Sequence, residues 1–218
     1  FAEGPPVPGS EGLNTMVTRL RVKIEGEKAK TTEAPKSRQA LVIQGDDLSN
    51  TLIVALGDVS GKGVPAALFM ALTRTLMRAA VGETASPAEA LRRVNRLLYP
   101  DCHQGMFVTA VYGVLNTTTG CFTYANAGHN PPFWLHKGEI SKLSRTGMAL
   151  GVLEDAEMDQ SEVLLQPGDS LLLYTDGVTE AMTAGGELFG EKRLLDVVHK
   201  TARDSAVALL DAVEDAAF

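Results

Sequence analysis

The sequence lacks features that define several protein classes. No uncharged apolar run approaches the roughly 18 to 20 residues of a membrane helix, so no membrane span is predicted. The two cysteines, Cys102 and Cys121, allow at most one disulfide, and their apolar neighbours favour reduced thiols in a cytoplasmic protein. Only 20 Lys and Arg stand against 27 Asp and Glu, and the net charge of −7 disfavours nucleic acid as a partner. The chain begins with Phe1 and has no signal peptide, so we interpret it as an excised or processed fragment.

The composition predicts one globular domain with mixed secondary structure. Hydrophobic residues make up 44% of the 218 positions and charged residues 22%, which excludes a disordered or fibrous chain. Alternating and apolar runs predict strands, and helical periodicity predicts four helices. The predicted strands cover residues 16–24, 40–43, 51–56, 106–115, 121–126, 132–136 and 170–175, and the helices cover 64–81, 86–98, 191–201 and 204–216. This order favours an α+β fold with antiparallel sheets over a parallel βαβ sheet.

The first two helices have distinct patterns. Residues 64–81 are apolar nearly all round, so we predict a buried helix with Pro65 in its first turn. Residues 86–89, Ser-Pro-Ala-Glu, form a capping box that begins the second helix. The apolar face of that helix is predicted to contain Leu91, Val94, Leu97 and Leu98.

The first candidate site follows a predicted strand, in residues 57–67 (Gly-Asp-Val-Ser-Gly-Lys-Gly-Val-Pro-Ala-Ala). A phosphate-binding P-loop is rejected, because only three residues separate Gly57 from Gly61 and Gly63 replaces the required hydroxyl residue. Asp58 and the carbonyl of Val59 could instead hold a divalent cation. The alternative is a simple strand-to-helix turn capped by Asp58, and spacing alone leaves both open.

A second acidic turn has the same form. The apolar residues 170–174 are followed by Asp176 and then Gly177, a pair that by itself usually marks a turn. Two carboxylates at the ends of buried strands nevertheless favour a site for a hard cation. His129 lies in a Gly/Asn/Pro turn, where a lone histidine is more often structural than catalytic. The sequence contains no motif of a zinc protease, zinc ribbon or serine hydrolase.

Three motifs together resemble one protein family. They are residues 58–68 (Asp-Val-Ser-Gly-Lys-Gly-Val-Pro-Ala-Ala-Leu), 124–132 (Tyr-Ala-Asn-Ala-Gly-His-Asn-Pro-Pro) and 172–180 (Leu-Leu-Tyr-Thr-Asp-Gly-Val-Thr-Glu). In this order they resemble the SpoIIE/RsbU-like branch of the metal-dependent type 2C (PPM) protein serine/threonine phosphatases. The resemblance extends over residues 52–218 of a single domain 1–218, in which residues 1–51 are divergent.

The resemblance implies a four-layer αββα sandwich and a metal-dependent phosphatase acting on phosphoserine or phosphothreonine. It makes Asp58 a ligand bridging two Mn²⁺ or Mg²⁺ ions, Val59 a carbonyl ligand and Asp176 a ligand of the second ion. A shared water would then attack the phosphate. The implied substrate is a phosphorylated anti-sigma-factor antagonist in a partner-switching pathway, and an upstream sensor or receiver domain is expected.

The sequence departs from the family pattern at two expected acidic ligands. Residues 39–44 contain no acid where one motif is expected, and Asp46 and Asp47 are predicted at a hairpin tip. The motif expected after the last helix is absent because the sequence ends at Phe218; residues 11–15 and the strand near residues 16–22 could take its place. Two interpretations follow: an active phosphatase with unusual ligands, or a catalytically weak phosphatase-like domain acting as a regulatory or binding module.

Overall fold

The computed structural model describes ten stretches of the chain. These are residues 17–20, 22–25, 28–31, 41–44, 51–61, 63–80, 86–102, 105–182, 186–202 and 204–217. They contain eleven strands and five α-helices. The predicted ligand positions at Asp46, Asp47 and residues 11–15 lie outside the described residues.

The elements follow one another in the order that the sequence predicts, with several additions. The strands are β1 (Val17–Leu20), β2 (Val22–Glu25), β3 (Lys28–Thr31), β4 (Leu41–Gln44), β5 (Thr51–Val59), β6 (Val108–Asn116), β7 (Cys121–Ala127), β8 (Phe133–His136), β9 (Glu139–Lys142), β10 (Ser161–Leu164) and β11 (Ser170–Tyr174). The helices are α1 (Val64–Ala80), α2 (Pro87–Leu98), α3 (Asp176–Thr179), α4 (Gly190–Lys200) and α5 (Ala206–Ala217). A short 3₁₀ turn, Tyr99–Asp101, follows α2.

The larger sheet has five antiparallel strands in the order β10-β7-β6-β5-β4. The predicted hairpin is confirmed, because β4 pairs with β5 from Leu41 opposite Ala55 to Gln44 opposite Leu52. Strands β5 and β6 pair over nine positions and place Asp58 opposite Thr109. This register fixes the surroundings of the first predicted acid.

The smaller sheet has four antiparallel strands in the order β1-β11-β8-β9. Strand β1 forms its edge and pairs with β11, which confirms an edge strand in this part of the sequence. The prediction of one continuous strand over residues 16–24 is wrong. This region contains two strands, and the second, β2, pairs with β3 in a separate two-stranded sheet.

Three apolar clusters separate four layers. One lies between the five-stranded sheet and helices α1 and α2, the second lies between the two sheets, and the third packs β8 and β11 against α4 and α5. Burial of apolar surface on both faces of each sheet is the main stabilising contribution to such a layered fold. The α+β class and the αββα arrangement are therefore confirmed.

Side-chain alternation along β5 assigns each residue to a layer. Leu52, Val54 and Leu56 belong to the cluster between the sheets, whereas Ile53 and Ala55 belong to the cluster beneath the helices. Because successive side chains of a strand point to opposite faces, Asp58 is placed on the same face as Leu56. The acid thus enters the space between the sheets at the end of the strand.

Helix α2 begins as predicted. The Ser86 hydroxyl accepts a hydrogen bond from the Glu89 backbone N–H at 3.2 Å, and Pro87 occupies the first helical turn. Leu91, Val94 and Leu98 are fully buried. The prediction for Leu97 is wrong, because this side chain is 49% exposed on the outer face of the helix.

Helix α1 differs from the fully buried helix that its composition predicts. Its buried positions are Phe69, Thr73, Met77 and Ala80, which lie on one face. Among the described residues, Val64 and Leu68 remain 72% and 67% exposed near its start. The composition of this segment shows that apolar side chains surround most of the helix. It does not show how many sides of the helix pack against other elements.

Both cysteines lie in the described part of the chain. Cys102 and Cys121 are free thiols, each half-buried. In the described part of the chain, no helix combines the length and the apolar character that crossing a bilayer requires.

Candidate metal centre

Asp58 is the next-to-last residue of the long buried strand β5. Strand β5 is buried from Leu52 to Leu56, and Asp58 itself is half-buried. Beyond the strand, Gly61 has φ 110° and Gly63 has φ 83°. Glycine adopts these positive values without the steric penalty of a side chain, so the backbone can turn sharply into α1. The two glycines therefore allow the chain to change direction between β5 and α1, as the sequence predicts.

Asp176 is positioned by the second buried strand. All five residues of β11 are buried, and Thr175 after them is also buried. Thr175 is the N-cap of the four-residue helix α3, and Asp176 is the first residue of that helix. Because α3 turns the chain immediately, the Asp176 side chain is exposed at the end of the sheet.

The structure brings Asp58 and Asp176 together. The pKa of Asp58 is raised from 3.8 to about 6, first by burial, then by the negative charge of Asp176 and by a hydrogen bond between the two side chains. The backbone N–H of Val59 donates to the Asp58 carboxylate and acts in the opposite direction, while Glu180 adds a smaller repulsion. Two carboxyl groups in contact disfavour double ionisation. The contact predicted between the two strand ends is present.

The simple capping interpretation of Asp58 is not supported by this geometry. Helix α1 begins at Val64, six positions after Asp58. A carboxylate at a helix N-terminus has its pKa lowered by the peptide N–H groups, whereas the pKa of Asp58 is raised. Asp58 therefore faces another acid and not a helix end.

Val59 is the third predicted site residue. Its side chain is 8% exposed and belongs to the cluster beneath α1 and α2. This packing fixes the backbone next to Asp58, where the Val59 N–H bonds the carboxylate. Its role as a carbonyl ligand stays a prediction.

His129 lies near Asp176 and contacts Thr109, the strand partner of Asp58, although its sequence context favours a structural role. The ring is 2% exposed, and its Nδ1 lies 2.8 Å from the Thr109 hydroxyl, directly across the β5–β6 pair from Asp58. Burial lowers the pKa of His129 to about 4, against the charge of Asp176 and the carbonyl of Tyr174, which raise it. The neutral ring therefore predominates at pH 7. Sequence patterns did not indicate Thr109, because its proximity depends on strand register.

The donor set fits a hard divalent cation but is incomplete in the described residues. Carboxylate and carbonyl oxygens are the ligands that Mg²⁺ and Mn²⁺ prefer, and a cation between Asp58 and Asp176 would relieve their repulsion. Within the ten described stretches, no group of three or more His, Cys, Asp and Glu side chains has an arrangement that could hold a metal. Further ligands would have to come from water, substrate or other parts of the chain.

An open groove of about 420 Å³ lies elsewhere on the molecule. It is formed by Arg92 and Arg96 of α2 and by residues 154–159. None of the three predicted site residues lines it, so its size does not bear on the metal centre.

Comparison with known proteins agrees with this architecture. The family model for stage II sporulation protein E (SpoIIE) matches residues 49–217. Protein IcfG of Synechocystis sp. is 33% identical over 199 residues, covering 78% of this chain and 31% of that protein. The phosphoserine phosphatase RsbU of Bacillus subtilis is 35% identical over 137 residues, covering 62% of this chain and 41% of that protein. The chain thus spans less than half the length of these relatives.

A solved structure extends the agreement to the fold. The crystal structure of the RsbU and RsbW domains of Rv1364c from Mycobacterium tuberculosis aligns with a TM-score of 0.66 and 28% identity, over 77% of this chain and 48% of that chain. The SiaA-PP2C domain of Pseudomonas aeruginosa has a TM-score of 0.66 at 23% identity, over 81% of this chain and 69% of that chain, which supports the fold alone. With its motifs, its four layers and a family match over most of its length, the chain belongs to the SpoIIE family.

Proposed function

We propose that this chain is the catalytic domain of a metal-dependent protein serine/threonine phosphatase. Its substrate is a phosphoserine or phosphothreonine on a regulatory protein, of the anti-sigma-factor antagonist type that the family resemblance implies. Asp58, Val59 and Asp176 hold Mn²⁺ or Mg²⁺. Support for the reaction class comes from the relatives described as phosphoserine phosphatases, RsbU and RsbP of Bacillus subtilis.

The observation that carries this proposal is the contact between Asp58 and Asp176. The two acids come from different sheets, and their interaction raises the pKa of Asp58 to about 6. At pH 7 most Asp58 side chains are therefore ionised, and the site has two adjacent negative charges. This arrangement is unfavourable without a cation, and a cation between the carboxylates would relieve their repulsion.

Each residue has a physical task in this proposal. The Val59 N–H orients the Asp58 carboxylate, and β11 places Asp176 opposite it. A bound divalent cation pair would screen the phosphate dianion and lower the pKa of a water for in-line attack. The neutral His129 ring near Asp176 adds no charge at pH 7.

The second candidate is a phosphatase-like regulatory module with weak or no catalysis. It is favoured by the small number of acids that meet in the described residues, where no cluster of three or more metal-binding side chains occurs. Two carboxylates and a carbonyl bind Mg²⁺ weakly, because this ion keeps its waters and gains affinity from carboxylate charge.

Calorimetric titration with Mn²⁺ separates the two candidates. The enzyme proposal expects at least one strong site, and Asp58→Asn should abolish it. Asp159→Asn is a matched control, since Asp159 is an exposed acid whose backbone N–H pairs with Thr146. A wild-type protein that binds no divalent cation would contradict the metal-dependent mechanism.

A phosphoserine peptide tests catalysis directly. Wild-type protein with Mn²⁺ should release phosphate above the rate of Asp176→Asn, while Asp159→Asn should match wild type. Strong Mn²⁺ binding without phosphate release would favour the regulatory module.

A further inference from the structure

Arg145 lies in a segment that is hydrogen-bonded at both ends to the turn formed by residues 126–132. At one end, the Leu143 N–H donates to the Pro132 carbonyl at 2.8 Å. At the other end, the Asn126 carbonyl accepts from the N–H groups one and two positions after Arg145, at 3.0 and 3.1 Å. These bonds hold the main chain of Arg145 alongside the turn.

The Arg145 side chain is exposed, but it is held at one point. Its Nε donates to the backbone carbonyl of His129 at 3.0 Å. Among the described residues, its two terminal nitrogens have no hydrogen bond or ion pair. The exposed guanidinium of Arg96, in contrast, pairs with Glu89 at 3.3 Å. The N–H groups on both terminal nitrogens of Arg145 can therefore donate to an acceptor on another molecule.

The contact with His129 places this guanidinium near the strand of the first acid. The Nδ1 atom of His129 lies 2.8 Å from Oγ1 of Thr109, and Thr109 lies opposite Asp58 in the β5–β6 pair. Neighbouring strands are about 4.8 Å apart. Two hydrogen bonds, one histidine and one strand spacing thus connect the guanidinium to Asp58. A few residues of a bound peptide span this distance, since an extended chain advances about 3.3–3.6 Å per residue.

The acceptor that best fits this side chain is a carboxylate. A planar guanidinium donates two parallel N–H groups to the two oxygens of a carboxylate. Because the Nε contact orients the guanidinium beforehand, binding removes less side-chain freedom than it would from a mobile arginine. The positive charge also offsets the repulsion that an acidic substrate residue meets from Asp58 and Asp176.

We propose that Arg145 is a specificity-determining residue that binds an aspartate or glutamate carboxylate of the phosphoprotein substrate, a few residues from the phosphorylated side chain. This inference rests on the proposed phosphatase function. It adds a preference for acidic sequence around the phosphorylated residue, whereas the phosphoryl group itself binds at Asp58 and Asp176.

Paired phosphoserine peptides test this preference. Each pair has glutamate or glutamine at one position within about four residues of the phosphoserine. With Mn²⁺, the wild type should hydrolyse at least one glutamate peptide with a kcat/KM about fivefold or more above that of its glutamine counterpart. Arg145→Gln should remove this difference, and Arg145→Lys should keep only part of it, since an ammonium lacks the planar fork. Arg96→Gln, the matched control, should keep the wild-type preference.

Two further measurements distinguish recognition from a purely structural contact with His129. Arg145→Glu should prefer lysine at the peptide position where the wild type prefers glutamate, because the charges are exchanged. Hydrolysis of para-nitrophenyl phosphate, which has no flanking residues, should be the same in the wild type and Arg145→Gln. Equal losses of activity toward this ester and the peptides would overturn the proposal.

Binding without turnover separates this inference from the proposed function. Fluorescence anisotropy compares the affinities of the labelled glutamate and glutamine peptides for the wild type and Arg145→Gln. A wild type that hydrolyses none of the peptides but shows an Arg145-dependent preference for glutamate overturns the proposed function and supports the carboxylate site. Equal affinities of the wild type for both members of every pair overturn the carboxylate site, even if the peptides are hydrolysed.

Discussion

Replacing Asp58 with asparagine should stabilise the metal-free protein at neutral pH. The pKa of Asp58 is raised from 3.8 to about 6 by burial and by the neighbouring Asp176. A raised carboxyl pKa means that the protonated form stabilises the fold. This contribution is full below about pH 4 and disappears as the pH rises through about 6.

The size of the effect follows from the same shift. The difference between the ordinary pKa of 3.8 and the value of about 6 corresponds to about 3 kcal/mol, since one pKa unit is about 1.4 kcal/mol. Asp58 is only half-buried, and solvent screening lowers the net cost of the repulsion to about 1 kcal/mol. The substituted amide keeps the shape of the side chain and an acceptor for the Val59 N–H but has no charge.

Urea unfolding in EDTA measures this difference. At pH 7.5, Asp58→Asn should be about 1 kcal/mol more stable than wild type, and the difference should shrink toward zero at pH 4. Asp159→Asn should show no such change. Lower stability of Asp58→Asn at pH 7.5 would refute the repulsion between the acids. Added Mn²⁺ should reverse the order, because a ligand that binds only the folded wild type stabilises it.

Three further predictions concern packing and the buried histidine. Leu98→Ala should cost about 2–5 kcal/mol in urea unfolding and Leu97→Ala far less, since only Leu98 is fully buried. Gly113→Ala should cost about 1–3 kcal/mol, because its Cβ would lie 2.3 Å from the Phe122 ring; an unchanged midpoint would contradict this contact. Because burial lowers the pKa of His129 to about 4, the neutral histidine stabilises the fold fully above pH 6.5. About 3 kcal/mol of this stabilisation is lost as the pH falls from 6.5 through 4. In His129→Gln the unfolding free energy should vary less between pH 4 and 6.5, and an equal slope would oppose this assignment.

The sequence predicted the parts of the fold that depend on local chemistry. The Ser86 cap, the antiparallel hairpin before Asp58 and the buried strand before Asp176 are all present. Each depends on residues close in the chain, such as a hydroxyl three positions before an amide. The sequence could therefore identify both acids and the ends of their strands.

Other features depend on neighbours distant in sequence. Strands β9 and β10 were missed because they are four-residue edge strands in which at least half of the side chains are polar. The exposure of Leu97, and of Val64 and Leu68 in α1, was not predicted because an apolar side chain does not specify whether another layer covers it. The contact between Thr109 and His129 depends on a strand register that no local pattern encodes.

The repulsion between Asp58 and Asp176 argues for a ligand-binding role of these two acids. Strand alternation places Asp58 between the sheets, where Leu56 on the same face is 1% exposed. An apolar or amide side chain would remove the repulsion with Asp176 that raises its pKa. Elsewhere in the described core, large apolar side chains such as Leu91, Phe133 and Leu150 are fully buried. A local arrangement that lowers stability is expected where a binding function requires it. A cation between the carboxylates converts the same geometry from repulsion to attraction, which is why the metal titration and the EDTA unfolding should change in opposite directions in Asp58→Asn.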